Sequence, residues 1–395
     1  MQNNGGGVQN IAIFSPSLYI GGAERAVVSL ANGFLRQGKS VHLLLASARG
    51  PLLDELDPGI EVVDFGQHRV FGTVVPLSRF LRNHQRLDIL FSVQNHANLI
   101  ALIARRMARV ELPVVINEQT TMSMHYAMEA GLKNQFIPKL ARLLYHQADA
   151  VVCISQGVAD DIIKITKIPP EKVFRIYNPV LLPPHELAQK IDAPFAHEWF
   201  SPDMLPVLLA VGRLNAAKDY PTLLRAFALA REKREMRLLI LGEGEERSAI
   251  ESLIRALGLE TSVHLPGSVD NPYPYMARCS AFVLSSSFEG LGNVLIEAMA
   301  CGASIVATDC KYGPAEILEN GRYGALVPVG GVQKMAEAIL GALDGKLDGR
   351  VLRERASVFS QENAIQQYLD LFQALHRKIR FIGRKKSKGT HNGNK

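Results

Sequence analysis

Two open α/β halves, each a doubly wound parallel sheet with helices on both faces, are the fold this sequence predicts, and three observations predict it. Short apolar runs alternate with helix-period segments through the first 178 residues. A proline-rich break follows. The same alternation then restarts at Val207. Parallel neighbours need long crossover connections, usually helical, so this alternation implies parallel strands. At 395 residues the chain exceeds one ordinary core, which agrees with two domains.

In the first half, IAIFSP (11–16) reads as a buried strand, followed by a Gly21-Gly22 turn and an amphipathic helix to about Arg36 with Ala26, Val27, Leu30 and Phe34 on one face. Gly38 stops it. Further strands are read at 40–46, 60–65, 88–93, 113–118, 150–155 and 173–178. Residues 8–180 are therefore expected as a first domain. The segment 181–206 holds most of a proline-rich stretch and the single tryptophan, Trp199, and reads as a linker. From 207 to 362 a second domain is expected, with strands at 207–214, 237–242, 263–267, 281–287, 303–309 and 324–329. A last amphipathic helix (363–376) and a flexible basic tail (377–395) complete the reading.

Composition excludes several classes. Net charge is +6, but eight Lys/Arg lie beyond His376, and without them the rest carries a net −2. The basic balance thus describes a tail and not a nucleic-acid-binding surface. The four cysteines, Cys153, Cys279, Cys301 and Cys310, form no C-x-x-C pair and sit in apolar sequence, as buried thiols do. No apolar run is long enough to span a membrane, and the N-terminal residues lack the form of a secretion signal, so a cytoplasmic location is expected.

The most informative stretch is FEGLGNVLIE (288–297), a strand-to-helix turn carrying Glu289 and Glu297. Such a turn offers free backbone N–H groups and the positive end of a helix dipole, where a phosphate can sit. Glu297, one turn into the helix, could accept hydrogen bonds from ribose hydroxyls, while Glu289 precedes the turn and faces what the phosphates carry. With Asn293 as N-cap, the capping-box position would be Ile296 and not Glu297, which argues against a purely structural role for Glu297. GRLNAAK (212–218) follows a strand and supplies Arg213 and Lys218 with no acid before Asp219. LGEG (241–244) and LPGSVDNPYPYM (265–276) are glycine-bearing loops that could hold a flat base; Gly244 and Val269 are the candidates. Together these suit a nucleoside diphosphate. No D-x-D occurs, so fixed cations and amides, with no metal and no cofactor, are expected to take the diphosphate charge.

These motifs resemble glycosyltransferase family 4, the retaining transferases of GT-B architecture, in which two Rossmann-like domains face a cleft. The resemblance rests on GGAER (21–25), CISQGV (153–158), IYNPV (176–180), VGRL with Lys218, LGEG, the E-x(7)-E of Glu289 and Glu297, GPAEIL (313–318) and GALVPVG (324–330). It implies transfer of a hexosyl or N-acetylhexosaminyl unit from a nucleotide sugar, UDP-linked by the look of GPAEIL, to a lipid-linked or polysaccharide acceptor. Arg213 and Lys218 would hold the diphosphate, with Gly212 beside them; Glu289 would lie near the sugar, and Gly290, Leu291, Gly292 and Asn293 would present amides. Gly21 and Gly22 would approach the phosphates from the first domain. On the acceptor side the candidates are Asn95, His96 and Glu118, although His96 could cap a helix and Glu118 could pair with a surface cation. Where the family has VGD, this chain has VGG (329–331). A UDP-sugar 2-epimerase of the same architecture and an inactive assembly partner are the alternatives; the first lacks a visible acid/base cluster, the second would show damaged donor motifs.

An anionic membrane surface is a candidate partner. Residues 122–146 are apolar and methionine-rich, with Lys133, Lys139 and Arg142 against the single acid Glu129, and the tail adds its eight cations. A solvated helix and a solubilising tail explain the same residues equally well.

Overall fold

The computed structural model describes residues 7–389 apart from Ile20, 124–125, 127–131, 202–203 and Lys346; side chains are described as far as Lys378 and not at 131–135. The chain forms two compact units: residues 1–179 with 361–395, and residues 180–360.

The first unit holds a seven-stranded sheet of β1 (Asn10–Ser15), β2 (Ser40–Leu45), β3 (Glu61–Asp64), β4 (Ile89–Val93), β5 (Val114–Glu118), β6 (Ala150–Cys153) and β7 (Val173–Arg175). Every pairing is parallel, in the order β3-β2-β1-β4-β5-β6-β7. Residues of β4, β5 and β6 are all buried, as strands covered on both faces must be. The covering helices are α1 (Gly22–Arg36), α2 (Val74–Asn83), α3 (Asn95–Ala108), α4 (Leu132–Leu144) and α5 (Gln156–Thr166). α1 buries the face expected for it, and Gly38 beyond its end takes a φ of 73°, where glycine is favoured. Ser155 caps α5, its Oγ accepting the Val158 N–H at 3.2 Å.

The second unit contains α6 (Pro184–Ile191), β8 (Val207–Val211), α7 (Tyr220–Lys233), β9 (Arg237–Leu241), α8 (Arg247–Ala256), β10 (Val263–Gly267), α9 (Tyr273–Arg278), β11 (Ala281–Leu284), α10 (Asn293–Ala300), β12 (Ile305–Thr308), α11 (Pro314–Ile317), β13 (Ala325–Val327), α12 (Val332–Asp344) and α13 (Gly349–Ser357). Its six parallel strands run β10-β9-β8-β11-β12-β13. The strand order therefore reverses between β1 and β4 in one sheet and between β8 and β11 in the other. Such switch points are where open α/β sheets bind ligands, beyond the carboxyl ends of the strands.

Three expectations need correction. The segment 181–206, expected as a linker, belongs to the second unit: it carries α6, and Trp199, 8% exposed, packs its ring on His264 and under the Arg237 guanidinium. The last helix, α14 (Gln361–Gly389), returns to the first unit. There Tyr368 and Phe372 pack on Phe34 and Phe91, Ile365 sits over Gly33, and Asn117 Nδ2 donates to the Tyr368 hydroxyl at 3.0 Å. Each buried ring contributes roughly 1.5–3 kcal/mol, which explains why the helix docks instead of ending the second domain. Finally, the tail expected to be flexible from 377 continues as helix to Gly389.

Candidate active site

The loops after β8, β9 and β10 are joined by backbone hydrogen bonds. Gly212 N–H donates to Leu241 O (3.0 Å), Leu214 N–H to Glu243 O (2.8 Å), Glu246 N–H to Leu214 O (2.9 Å) and Gly242 N–H to Gly267 O (2.9 Å). Main chain runs so close to main chain here that side chains are excluded. A Cβ on Gly242 would lie 1.9 Å from the Gly212 carbonyl oxygen, and one on Gly244 2.2 Å from that of Leu214. Val269, partly buried, follows two residues beyond this junction.

Across the switch point the loop after β11 is tied to the loop after β8. Ser285 Oγ donates to Lys218 O at 2.7 Å, and Ser287 donates through N–H (2.8 Å) and Oγ (3.1 Å) to Ala217 O. Thr308 Oγ1, from β12, holds Ser286 O at 2.5 Å. This frame sets Lys218 Nζ 2.6 Å from Glu289 Oε1, which also accepts from Ser286 Oγ at 2.7 Å. Both side chains are largely enclosed, 19% and 13% exposed. Arg213 stands differently. It pairs with Glu245 at 3.1 Å, but its side chain is 70% exposed. An exposed pair of this kind contributes little, so Arg213 can exchange Glu245 for an incoming anion at small cost. The two cations read as free of acidic neighbours along the chain therefore both have carboxylate partners in the fold.

α10 begins at the far side of this frame. Gly292, and not Asn293, is the N-cap, with φ 94°, and no side chain caps the helix. Asn293 is the first helical residue; its Oδ1 is buried without a hydrogen-bond partner. The uncapped helix start, with its free N–H groups, suits an anionic guest, whereas the unpartnered Asn293 Oδ1 is an acceptor that suits a hydroxyl or N–H of the guest. Gly313, φ 95°, lets the start of α11 press against this turn, since a Cβ there would meet Leu291 O at 2.0 Å. Glu297, half-buried, lies on the second turn of α10. The second unit thus brings together Gly212, Arg213, Lys218, Gly244, Glu289 to Asn293, and Glu297.

The remaining candidates lie in the first unit: Gly21, Gly22, Asn95 and His96 at its own switch point, and Glu118 one strand away at the end of β5. Gly21 caps α1 in extended backbone, φ −170°, a conformation open to any residue; Gly22 opens the helix. Gln94, at the end of β4, is held at φ 81°, and its amide donates to Glu24 of α1 at 2.6 Å. Asn95 is buried at 7% exposure, and His96 packs edge-on to Phe71 and Tyr126.

Glu118, at the end of β5, is fully buried and cannot pair with a surface cation. Its Oε1 accepts from the Tyr145 hydroxyl and from Asn98 Nδ2 (2.7 Å), whereas Oε2 has no partner. Burial pushes its carboxyl up to about 7, against the pull of those two hydrogen bonds and with a further push from Asp161. Sequence reasoning missed Tyr145, Asn98 and Glu245 as partners; only SSS (285–287), directly after a strand, carried a local signal for the hydroxyl clamp.

Comparison with known proteins follows the same division. Residues 20–182 match the Glycosyltransferase Family 4 domain, and residues 205–345 match Glycosyl transferases group 1. An N-acetylgalactosamine-N,N'-diacetylbacillosaminyl-diphospho-undecaprenol 4-alpha-N-acetylgalactosaminyltransferase of Campylobacter jejuni is 34% identical over 349 residues, 84% of this chain and 89% of the relative. This chain is a family 4 glycosyltransferase. The glycosyltransferase is also 26% identical to the lipopolysaccharide core biosynthesis glycosyltransferase LpsE of Rhizobium meliloti, over 89% of this chain and 95% of that protein. Its GT-B fold is shared with HepE of Anabaena, solved in complex with UDP, at a TM-score of 0.72 and 21% identity, over 93% of this chain and all of that one. Among the described residues of the glycosyltransferase, no helix is long and apolar enough to cross a membrane.

Proposed function

We propose that this glycosyltransferase moves a hexosyl or N-acetylhexosaminyl unit from a UDP-sugar to a saccharide carried on a lipid diphosphate, with retained anomeric configuration and without a metal ion. The observation that supports this reading is the frame at the second switch point, where the loops after β8 and β11 are hydrogen-bonded together with Lys218 against Glu289, Arg213 lies exposed on the loop after β8, and α10 starts uncapped after the loop that follows β11. Charge accumulates on the departing diphosphate in such a transfer, and preorganised cations and amides stabilise it. Arg213 would leave Glu245 for the diphosphate. Lys218 would stay against Glu289, which then presents its other oxygen toward the transferred sugar. Glu297 would receive the ribose hydroxyls, Gly21 and Gly22 would approach the donor phosphates, and Asn95, His96 and Glu118 would serve the acceptor side.

The nature of donor and acceptor is supported by the relatives' names. One is a transferase acting on a diphospho-undecaprenol-linked saccharide, and a fold neighbour binds UDP. A lipid-borne acceptor requires work at a bilayer, so peripheral attachment at the cytoplasmic face belongs to the same reading. The test is a panel of nucleotide sugars, measuring released UDP or GDP with and without EDTA. UDP release from a UDP-N-acetylhexosamine, unchanged by EDTA, is expected. Turnover of GDP-sugars alone, or strict metal dependence, would sink the reading.

A further inference from the structure

The loop between β12 and α11 presses on the turn that carries Glu289. Lys311 pairs through its backbone with Phe288 in a parallel bridge, and Gly313 lies so close to Leu291 that a Cβ on it would meet the Leu291 carbonyl oxygen at 2.0 Å. Tyr312 is held between these two contacts, at a φ of 73°. A bulky side chain is strained there, whereas glycine would not be. Among the described non-glycine residues with positive φ it is the one aromatic; Arg109 and Lys167 end helices, where this backbone is common. The fold gains little in return, since the Tyr312 side chain is half-buried and is not one of the buried residues of the second unit's core. Cys310, two residues earlier, is buried beside the Lys218–Glu289 pair: burial and the Glu289 carboxylate push its thiol up to about 12, and Lys218 pulls the other way. The Lys311 ammonium stands 5.9 Å from the Tyr312 ring centroid, so the ring is steadied from its own loop.

We infer that the Tyr312 ring packs on the transferred sugar of the donor and selects which sugars the enzyme accepts. Backbone strain that does not serve the fold is kept where it serves a site. The strand order decides which part of the donor the ring meets. The loops proposed for the base follow β9 and β10, and Arg213 and Lys218 follow β8; Tyr312 follows β12, beyond β11 and Glu289. A nucleotide sugar laid along this row has its base at one end and its sugar at the other. A tyrosine ring offers flat apolar area to the C–H face of a pyranose, with a polar tip beside it. The inference rests on the reading that the donor is a UDP-sugar, and it adds the residue that reads the sugar.

Calorimetric titration of the full chain without acceptor tests it, with UDP, UDP-N-acetylglucosamine, UDP-N-acetylgalactosamine and UDP-glucose as probes. Wild type should bind UDP and prefer one of these UDP-sugars. Y312G removes the ring and relieves the strain. Its affinity for the preferred UDP-sugar should fall about tenfold, the scale of one aromatic contact, while its UDP affinity stays within about twofold and its urea midpoint is equal or higher. Its preference among the sugars should shrink. Y312F, which keeps both the ring and the strain, should recover most of the lost affinity. Unchanged UDP-sugar binding or preference in Y312G, an equal loss for UDP and UDP-sugar, a lower urea midpoint, or Y312F as weak as Y312G would each overturn the inference and leave the donor reading in place. Wild type that binds none of these UDP-sugars would overturn the donor reading, and the inference with it.

Discussion

Lys218 and Glu289, 71 residues apart in the chain, meet at 2.6 Å between the loops that follow the paired strands β8 and β11. A cation and an acid proposed to act separately on the donor are thus one unit, and removing either leaves the other partly buried without its partner. Lys218→Ala should lower turnover by several hundredfold, the scale of about 3–4 kcal/mol for losing one preorganised donor. Glu289→Gln should cost a similar factor, and the double variant little more than either single one. A double-mutant cycle on nucleotide release measures this; additive losses would show that the two act independently.

Arg213 and Glu245 make the contrasting case. Their pair is exposed, so Glu245→Ala should leave the melting temperature unchanged and leave donor binding equal or tighter. Arg213→Ala should weaken UDP binding by about tenfold or more, on the scale of one hydrogen bond to a charged group. Calorimetric titration with UDP distinguishes the two, and weaker binding by Glu245→Ala would contradict the exchange of partners proposed for Arg213.

Glu118 makes the first unit sensitive to pH. Its folded carboxyl, at about 7, lies above the value of 4.5 expected for the free side chain. Unfolding therefore releases a proton in between. The stabilisation is complete below about pH 4.5 and is lost as pH rises through about 7, a change of about 3 kcal/mol. Urea midpoints of wild type should fall from about pH 5 to about pH 8, and Glu118→Gln should flatten that fall. A steeper fall in the variant would refute the assignment.

Phe372, buried against Phe34 and Phe91, ties α14 to the first sheet. Phe372→Ala should destabilise the first unit by about 3–5 kcal/mol and leave the second unit's transition in place. Differential scanning calorimetry would show the two transitions separating, and a joint downward shift would mean the units unfold together.

Much of this was legible in the chain. Strands buried on both faces read as plain apolar runs, so β4, β5, β6, β8 and β11 could be placed from local sequence. The glycines at 212, 242 and 244 and the strand-to-helix turn between the acids at 289 and 297 could also be placed, because turn geometry is local. Contacts between distant segments were not legible. Nothing near Glu118 announces that Tyr145 and Asn98 will enclose it, and nothing near Tyr368 names Asn117 as its partner. Trp199 looked like linker because prolines surround it, although its ring is packed on β10.

The return of α14 also fixes when the first unit can be completed. Its sheet is fully encoded by residue 175, yet Phe34, Phe91 and the Asn117 amide wait for side chains at 368 and 372. On the ribosome, the whole second unit is made during that wait. A nascent chain halted at residue 180 would carry an open apolar seam along α1 and β4, a target for chaperones. The half of the protein that begins first is therefore the half that finishes last.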